Sequence, residues 1–196
     1  MDTLLSDINA YIFTGGQSRR LHTDKSLVQL NGKTLTEIVY QKMNLIFNNI
    51  YIVGKEDNFP DYNFIQDVKP VQCPLNGIVT ALEHTQNKVI FVIACDLPLV
   101  NVKSINDMYA KIDSSTQVVL PNVNDCLQPL YAFYHISLLK YFNAAIDKGN
   151  YSLMKLLDKS EVKKVEIPTV DKEQFLNINY PEDLEKAEEL LKKLYS

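Results

Sequence analysis

The chain has 196 residues, enough for one domain with a substantial core, and 46% hydrophobic with 22% charged residues is the balance of a soluble globular protein. Its formal net charge of −4 leaves no broad basic field for non-specific nucleic-acid or membrane binding. Cys73, Cys95 and Cys126 form no C-x-x-C pair, and His22, His84 and His135 lack ligand spacing, which argues against a disulfide framework and a zinc site. Met1 to Ala10 does not read as a basic, apolar leader, and no apolar run nears the roughly 20 residues needed to span a bilayer. The expectation is a single cytoplasmic domain with neither nucleic acid nor membrane as partner.

In chain order, residues 10–14 predict a short buried strand that runs into Gly15 and Gly16. Leu35, Ile38, Val39, Met43 and Ile46 recur at helical spacing across 34–48, with Thr34 and Glu37 spaced as a capping box. Residues 49–53 read as a strand stopped by Gly54, and 76–86 as a helix with Ile78, Val79 and Leu82 on one face. Seven apolar residues over 89–95, ended by Asp96 and Pro98, predict a strand covered on both faces. Beyond it the patterns give a helix over 104–112, a strand over 118–120 and a strand-like segment over 127–134 that contains Pro129. Helices over 136–146 and 152–157 flank Gly149, and 162–167 alternates like an edge strand open to solvent. Pro181, Glu182 and Asp183 at one end, with Lys192 and Lys193 at the other, mark a strong helix over 181–194. Strands alternating with helices predict an α/β three-layer sandwich around a mostly parallel sheet.

In such sheets ligands bind beyond the carboxyl ends of the strands, which singles out two places. The first is the segment "FTGGQSRRLHTDK", where Gly15 and Gly16 let the backbone approach an anion and Arg19, Arg20 and Lys25 could neutralise phosphate oxygens. Taken alone, it reads equally as a glycine turn followed by a solvated charge run. It fits neither the Walker A pattern nor the dinucleotide fingerprint. The second is Asp96, either a turn cap or a Mg²⁺ ligand working with phosphate oxygens. Asn177 and Asn179 fit turn chemistry ahead of the last helix.

Together these segments resemble a known family. "FTGGQSRRLHTDK" is similar to the L-A-G-G-x-S-x-R-M-G-x-D-K signature of the MobA-like nucleotidyltransferases. "CPLNGIVTAL", "FVIACDLPLV" and "FLNINYPEDL" resemble three further family segments in the expected order, so the likeness runs from about residue 10 to 190. The resemblance implies a Rossmann-like nucleotidyltransferase fold and transfer of GMP from GTP to molybdopterin cofactor with release of pyrophosphate. By motif match, Phe13, Thr14, Gly15, Gly16 and Ser18 take nucleotide-binding positions, Arg20 and Lys25 the phosphate positions, and Asp96 the Mg²⁺ position. Asp67 falls where the family places a nucleotide-contacting aspartate, and Gln128, Asn177 and Asn179 fall on the pterin side. His22 stands where relatives have glycine, Thr14 where they have alanine, Cys73 where they have glycine and Gln128 where many have histidine. GTP and molybdopterin are the implied substrates, and molybdenum insertion proteins or recipient molybdoenzymes the implied transient contacts. The alternatives are a sister nucleotidyltransferase using CTP or a sugar phosphate or alcohol, and a non-catalytic nucleotide-binding module.

Overall fold

The computed structural model describes residues 4–14, 25–166 and 169–194. Gly15, Gly16, Ser18, Arg19, Arg20 and His22 lie outside the described residues. The first strand, β1 (Asn9–Phe13), is buried along its whole length. A short hairpin of β2 (Gln29–Leu30) and β3 (Lys33–Thr34) follows, turning through Asn31 and Gly32 at φ 52 and 79. Positive φ at both central residues is what an Asn-Gly hairpin turn supplies, so the pair is written in the sequence although strand periodicity is too short to reveal it. Helix α1 (Leu35–Met43) starts from Thr34, and the capping box forms: Glu37 N–H donates to the Thr34 hydroxyl, while Thr34 N–H donates to the Glu37 carboxylate. It ends sooner than the apolar spacing predicts, because 44–46 turn away and leave Ile46 to pack from a turn.

The chain continues through β4 (Asn49–Gly54), β5 (Phe64–Gln66), α2 (Pro74–His84) and β6 (Val89–Ala94). Next come α3 (Val102–Tyr109), β7 (Val118–Val123), β8 (Cys126–Leu127) and β9 (Tyr131–His135). Last are α4 (Leu139–Asp147), α5 (Leu153–Leu157), β10 (Val162–Glu166) and α6 (Pro181–Leu194). Among the described residues the main sheet has the order β10-β7-β9-β6-β1-β4-β5, with β8 beside β7. β1, β4, β5 and β6 are mutually parallel, and β10 is parallel to β7; β9 runs antiparallel between β6 and β7. The mostly parallel sandwich predicted from alternation is therefore what forms, with β9 and the short β8 inverted.

Two strand boundaries differ from the sequence reading. The strand predicted over 118–120 continues to Val123, and Pro121 is accommodated inside it. The segment 127–134 is broken: Gln128 N–H donates to Pro121 O at 3.1 Å, and pairing resumes only at Tyr131. Pro129, which has no N–H to give the ladder, sits in that break. β5 was not predicted, since a three-residue strand carries almost no periodicity. The alternating segment over 162–167 does form the sheet edge, as half-exposed β10.

Burial divides along the two faces of the sheet. Ala10, Ile12, Phe91 and Ile93 pack with Val39 and Met43 of α1 and Ile105 of α3. Tyr11, Phe13, Ile90, Val92, Val118 and Leu120 pack on the opposite face with Ile78 and Leu82 of α2 and Phe142 of α4. Side chains of a strand alternate between faces, so continuous apolar runs are needed only where both faces are covered. β1 and β6 are such strands.

Gly54 ends β4 where space is short. A Cβ there would lie 2.3 Å from Thr14 Oγ1, and that hydroxyl already donates to Val53 O at 3.1 Å. Gly54→Ala is expected to destabilise the protein by about 1–3 kcal/mol in urea unfolding. Most of that loss should be recovered in the Gly54→Ala/Thr14→Ala double variant, since the offending oxygen is then gone.

Candidate active site

The carboxyl ends of four neighbouring strands meet at one edge of the sheet. Thr14 N–H donates to Val53 O at 3.0 Å, Cys95 N–H to Phe13 O at 3.0 Å and Asp67 N–H to Gly54 O at 2.8 Å. These bonds carry strand pairing one step past β1, β4, β5 and β6, so the loops that follow all leave from the same rim. Into that rim opens a cleft lined by Phe13, Thr14, Lys25, Asp67, Gly77 and Asp96 with several apolar neighbours. α2 points its amino end at the cleft, since Pro74 and Gly77 are also in its wall. The positive end of a helix dipole therefore faces the space.

Asp96 lies two residues beyond β6, and its side chain is 17% exposed. Its Oδ2 accepts from Lys25 Nζ at 2.9 Å, and the same ammonium also donates to Asn179 Oδ1. Asp96 Oδ1 is buried and has no hydrogen-bond partner among the described residues. Three segments far apart in sequence are thus tied by one cation. Ile178 N–H donates to Asp96 O at 2.9 Å, so the backbone as well as the side chain of the C-terminal loop docks here. Asp183, in the first turn of α6, accepts from Asn179 N–H and Tyr180 N–H at 2.8 Å each and fixes the loop from its other end.

Asp67 is placed by α2. Asn76, fully buried, donates to Lys69 O and Val71 O and accepts from Lys69 N–H, which closes the loop after Asp67. One turn later, Thr80 Oγ1 accepts from Val68 N–H and lies 3.5 Å from Asp67 Oδ1. Burial raises the Asp67 carboxyl above its ordinary pKa, against the lowering effects of Thr80 and Lys55. A folded pKa raised in this way means that the ligand-free protein is penalised once pH climbs through it. Asp67→Asn is therefore expected to raise the Tm of the ligand-free protein at pH 7. The advantage should shrink as pH falls below the usual carboxylate range, where wild type is protonated too; thermal scans at both pH values check it.

Of the residues singled out in the sequence, Phe13, Thr14, Lys25, Asp67 and Asp96 are brought together in the cleft, with Asn179 at its edge through Lys25. Asn177 is not drawn in: its amide donates to Phe175 O at 3.4 Å, the turn chemistry that its sequence context also suggested. Gln128 lies in the break between β8 and β9 and is not among the residues that line the cleft. The sequence reading named none of Val53, Gly77, Ala94 or Leu130 as site residues, although they line it. Gly77 carried a usable signal. A Cβ there would meet the Phe13 ring at 3.2 Å, so a glycine in the first turn of α2 marks close approach to β1.

Comparison with known proteins follows the same outline. Residues 10–165 match the family profile of the MobA-like NTP transferase domain. A molybdenum cofactor guanylyltransferase of Campylobacter jejuni subsp. doylei is 30% identical over 191 residues, 96% of this chain and 99% of that protein. A probable molybdenum cofactor guanylyltransferase of Aquifex aeolicus is 31% identical over 186 residues, 93% of this chain and 91% of the relative. In three dimensions, the molybdopterin-guanine dinucleotide biosynthesis protein A of Archaeoglobus fulgidus superposes with a TM-score of 0.83 at 27% identity. That alignment covers 95% of this chain and all of the other.

Proposed function

We propose that this chain, which belongs to the MobA-like NTP transferase family, transfers GMP from GTP to the terminal phosphate of molybdopterin and releases pyrophosphate. The observation that carries the reading is the junction of Lys25, Asp96 and Asn179. One cation ties the end of the glycine-rich segment to the carboxylate after β6 and to the C-terminal loop, at the rim where an α/β sheet binds ligands. The full-length likeness to proteins named for this activity supports it.

In this reading the guanine nucleotide enters over Phe13 and Thr14, with the amino end of α2 and the loop through Gly15, Gly16, Ser18 and Arg20 receiving its phosphates. Asp67 faces the nucleotide from the end of β5. The pterin comes from the side of Gln128, Asn177 and Asn179. An oxygen of the pterin phosphate attacks the α-phosphorus, that new P–O bond forms, and the bond from the α-phosphorus to the β-bridging oxygen breaks. The electron pair leaves with pyrophosphate. No general base is needed, because the attacking phosphate is already ionised near neutral pH. Catalysis then consists of positioning and charge neutralisation. Lys25 leaves Asp96 to balance charge on the departing pyrophosphate, together with Arg20.

Asp96 suits a divalent cation. Its Oδ1 is buried without a partner among the described residues, and a hard carboxylate oxygen is the donor that Mg²⁺ takes alongside substrate phosphates. No cluster of three or more His, Cys, Asp or Glu side chains is present among the described residues, which fits a metal that arrives with the nucleotide. When bound, Mg²⁺ would supply charge neutralisation at the α-phosphate.

No helix among the described residues is long and apolar enough to cross a membrane, and GTP as substrate puts the reaction in the cytoplasm. Hand-over of product to molybdenum insertion proteins or recipient molybdoenzymes completes the reading. The test is a panel of GTP, CTP and ATP, scored by pyrophosphate release with and without molybdopterin. Release is expected with GTP, and only when molybdopterin is present. Preference for CTP, or nucleotide binding with no release in any combination, would overturn the proposal.

A further inference from the structure

The loop after β6 and the loop before α6 are tied to each other at two points. One is the backbone bond from Ile178 N–H to Asp96 O at 2.9 Å. The other is the side chain of Gln174, 8% exposed, in a short 3-10 turn over Thr169–Phe175. Its Oε1 accepts from Ser104 Oγ at 2.9 Å and from Asn101 N–H at 3.4 Å. Both donors belong to the start of α3. Asn101 is its N-cap, whose side chain accepts from Ser104 N–H at 3.1 Å.

An N-cap N–H has no partner within its own helix. In a capping box the residue three places on supplies one, as Glu37 does for Thr34 in α1. In α3 that place is held by Ser104, and a glutamine from 70 residues further along the chain closes the box instead. Behind it, Ser104 Oγ lies 2.6 Å from the Tyr131 hydroxyl and 2.9 Å from Asn101 O, in a fully enclosed setting. Burial pushes the Tyr131 hydroxyl well above its ordinary pKa, so it stays protonated and able to donate. Gln174 Oε1 is the acceptor that the C-terminal loop brings to this buried cluster of donors.

We infer that Gln174 is a positioning residue for the transfer reaction: by closing the amino end of α3 it fixes Asp96 and Asn179 where both meet Lys25. This rests on the proposed reaction. Phe175 and Ile178 bury the same segment, with the Phe175 ring edge-on to Tyr131 at 5.2 Å. Apolar burial holds the segment down but is non-directional, so the two polar ties set how it lies. With the Ile178 tie alone the loop can pivot, and Asn179 is the next residue. Thr14 and Asp67, on the nucleotide side, take their places from Val53, Gly54 and Thr80 instead. Loss of the Gln174 tie therefore reaches turnover and the pterin side and leaves nucleotide binding alone.

The test compares wild type with Gln174→Leu, which keeps bulk and removes the acceptor, and with Gln174→Glu. The latter restores an acceptor at a helix amino end, where negative charge is favoured. Gln174→Leu should lower kcat for guanylyl transfer by about 10- to 100-fold, the scale on which misplaced reacting groups cost rate. It should also raise KM for molybdopterin, while the Kd for GTP keeps its wild-type value. Gln174→Glu should recover most of kcat. Ser104→Ala, which removes one of the two donors, should show the same split more weakly, and it carries the test if Gln174→Leu fails to fold. Wild-type kcat and KM in the variant that carries the test overturn the assignment and leave the reaction standing. Equal losses in Gln174→Leu and Gln174→Glu do the same, as does a Kd for GTP that weakens in step with kcat, the mark of general loosening. An inactive wild type brings down the reaction, and this inference with it.

Discussion

Asp96→Ala is expected to lower the rate of guanylyl transfer by at least about 10²-fold, the scale on which one transition-state charge contact is lost. The carboxylate follows β6, it is nearly buried, and its Oδ1 has no hydrogen-bond partner among the described residues. A buried acceptor in that condition costs stability unless a ligand satisfies it, which the proposed metal role would do. In Asp96→Ala the Lys25 ammonium keeps Asn179 Oδ1 as a partner, so this variant should lose less stability than Lys25→Ala while losing turnover. Asp96→Asn separates charge from shape: it keeps the volume and removes the anion, and the rate should stay low. Steady-state turnover with excess Mg²⁺, beside a thermal scan of each variant, checks both halves. A variant that turns over at the wild-type rate ends the role given to Asp96.

Lys25→Ala should cost a comparable factor, at least about 10²-fold in turnover, for a different reason. Its side chain is 15% exposed and its ammonium holds both Asp96 and Asn179, which places a positive charge between the cleft and the C-terminal loop. Without it, the largely buried Asp96 carboxylate loses the cation that pairs with it among the described residues, and losing one partner of such a pair is destabilising. The ligand-free variant should accordingly melt below wild type. The Lys25→Ala/Asp96→Ala double variant should regain part of that loss, because the stranded carboxylate is gone. Rate and Tm then move apart: the double variant is the more stable of the two and no more active. Equal melting temperatures for wild type and Lys25→Ala would show that the pair has no structural weight.

Much of the architecture was legible in residue order. α6 begins and ends where Pro181 and the closing lysines indicate, because a proline at the first turn and charges matched to the dipole act locally. β6 was visible because a strand covered on both faces must be apolar throughout. β5 and the β2–β3 pair were missed for the opposite reason: strands of two or three residues have no period to detect, and only the Asn31–Gly32 turn betrays the hairpin. The split between β8 and β9 was half visible in Pro129, which signals a missing donor without saying where pairing resumes.

The site divides in the same way. Residue order alone determined which groups have the right chemistry: cations after a glycine pair, a carboxylate closing an apolar strand, and a segment with two asparagines before the last helix. Those are properties of side chains and of near neighbours. Only the tertiary structure decided that Lys25 holds Asp96 and Asn179 at once, that Asn177 turns back to Phe175, and that Asn122 clamps Glu166. Such pairings depend on strand order and on which face each side chain takes. Those are settled when the whole sheet closes against its helices, because no short stretch of chain gains enough by itself to choose among them.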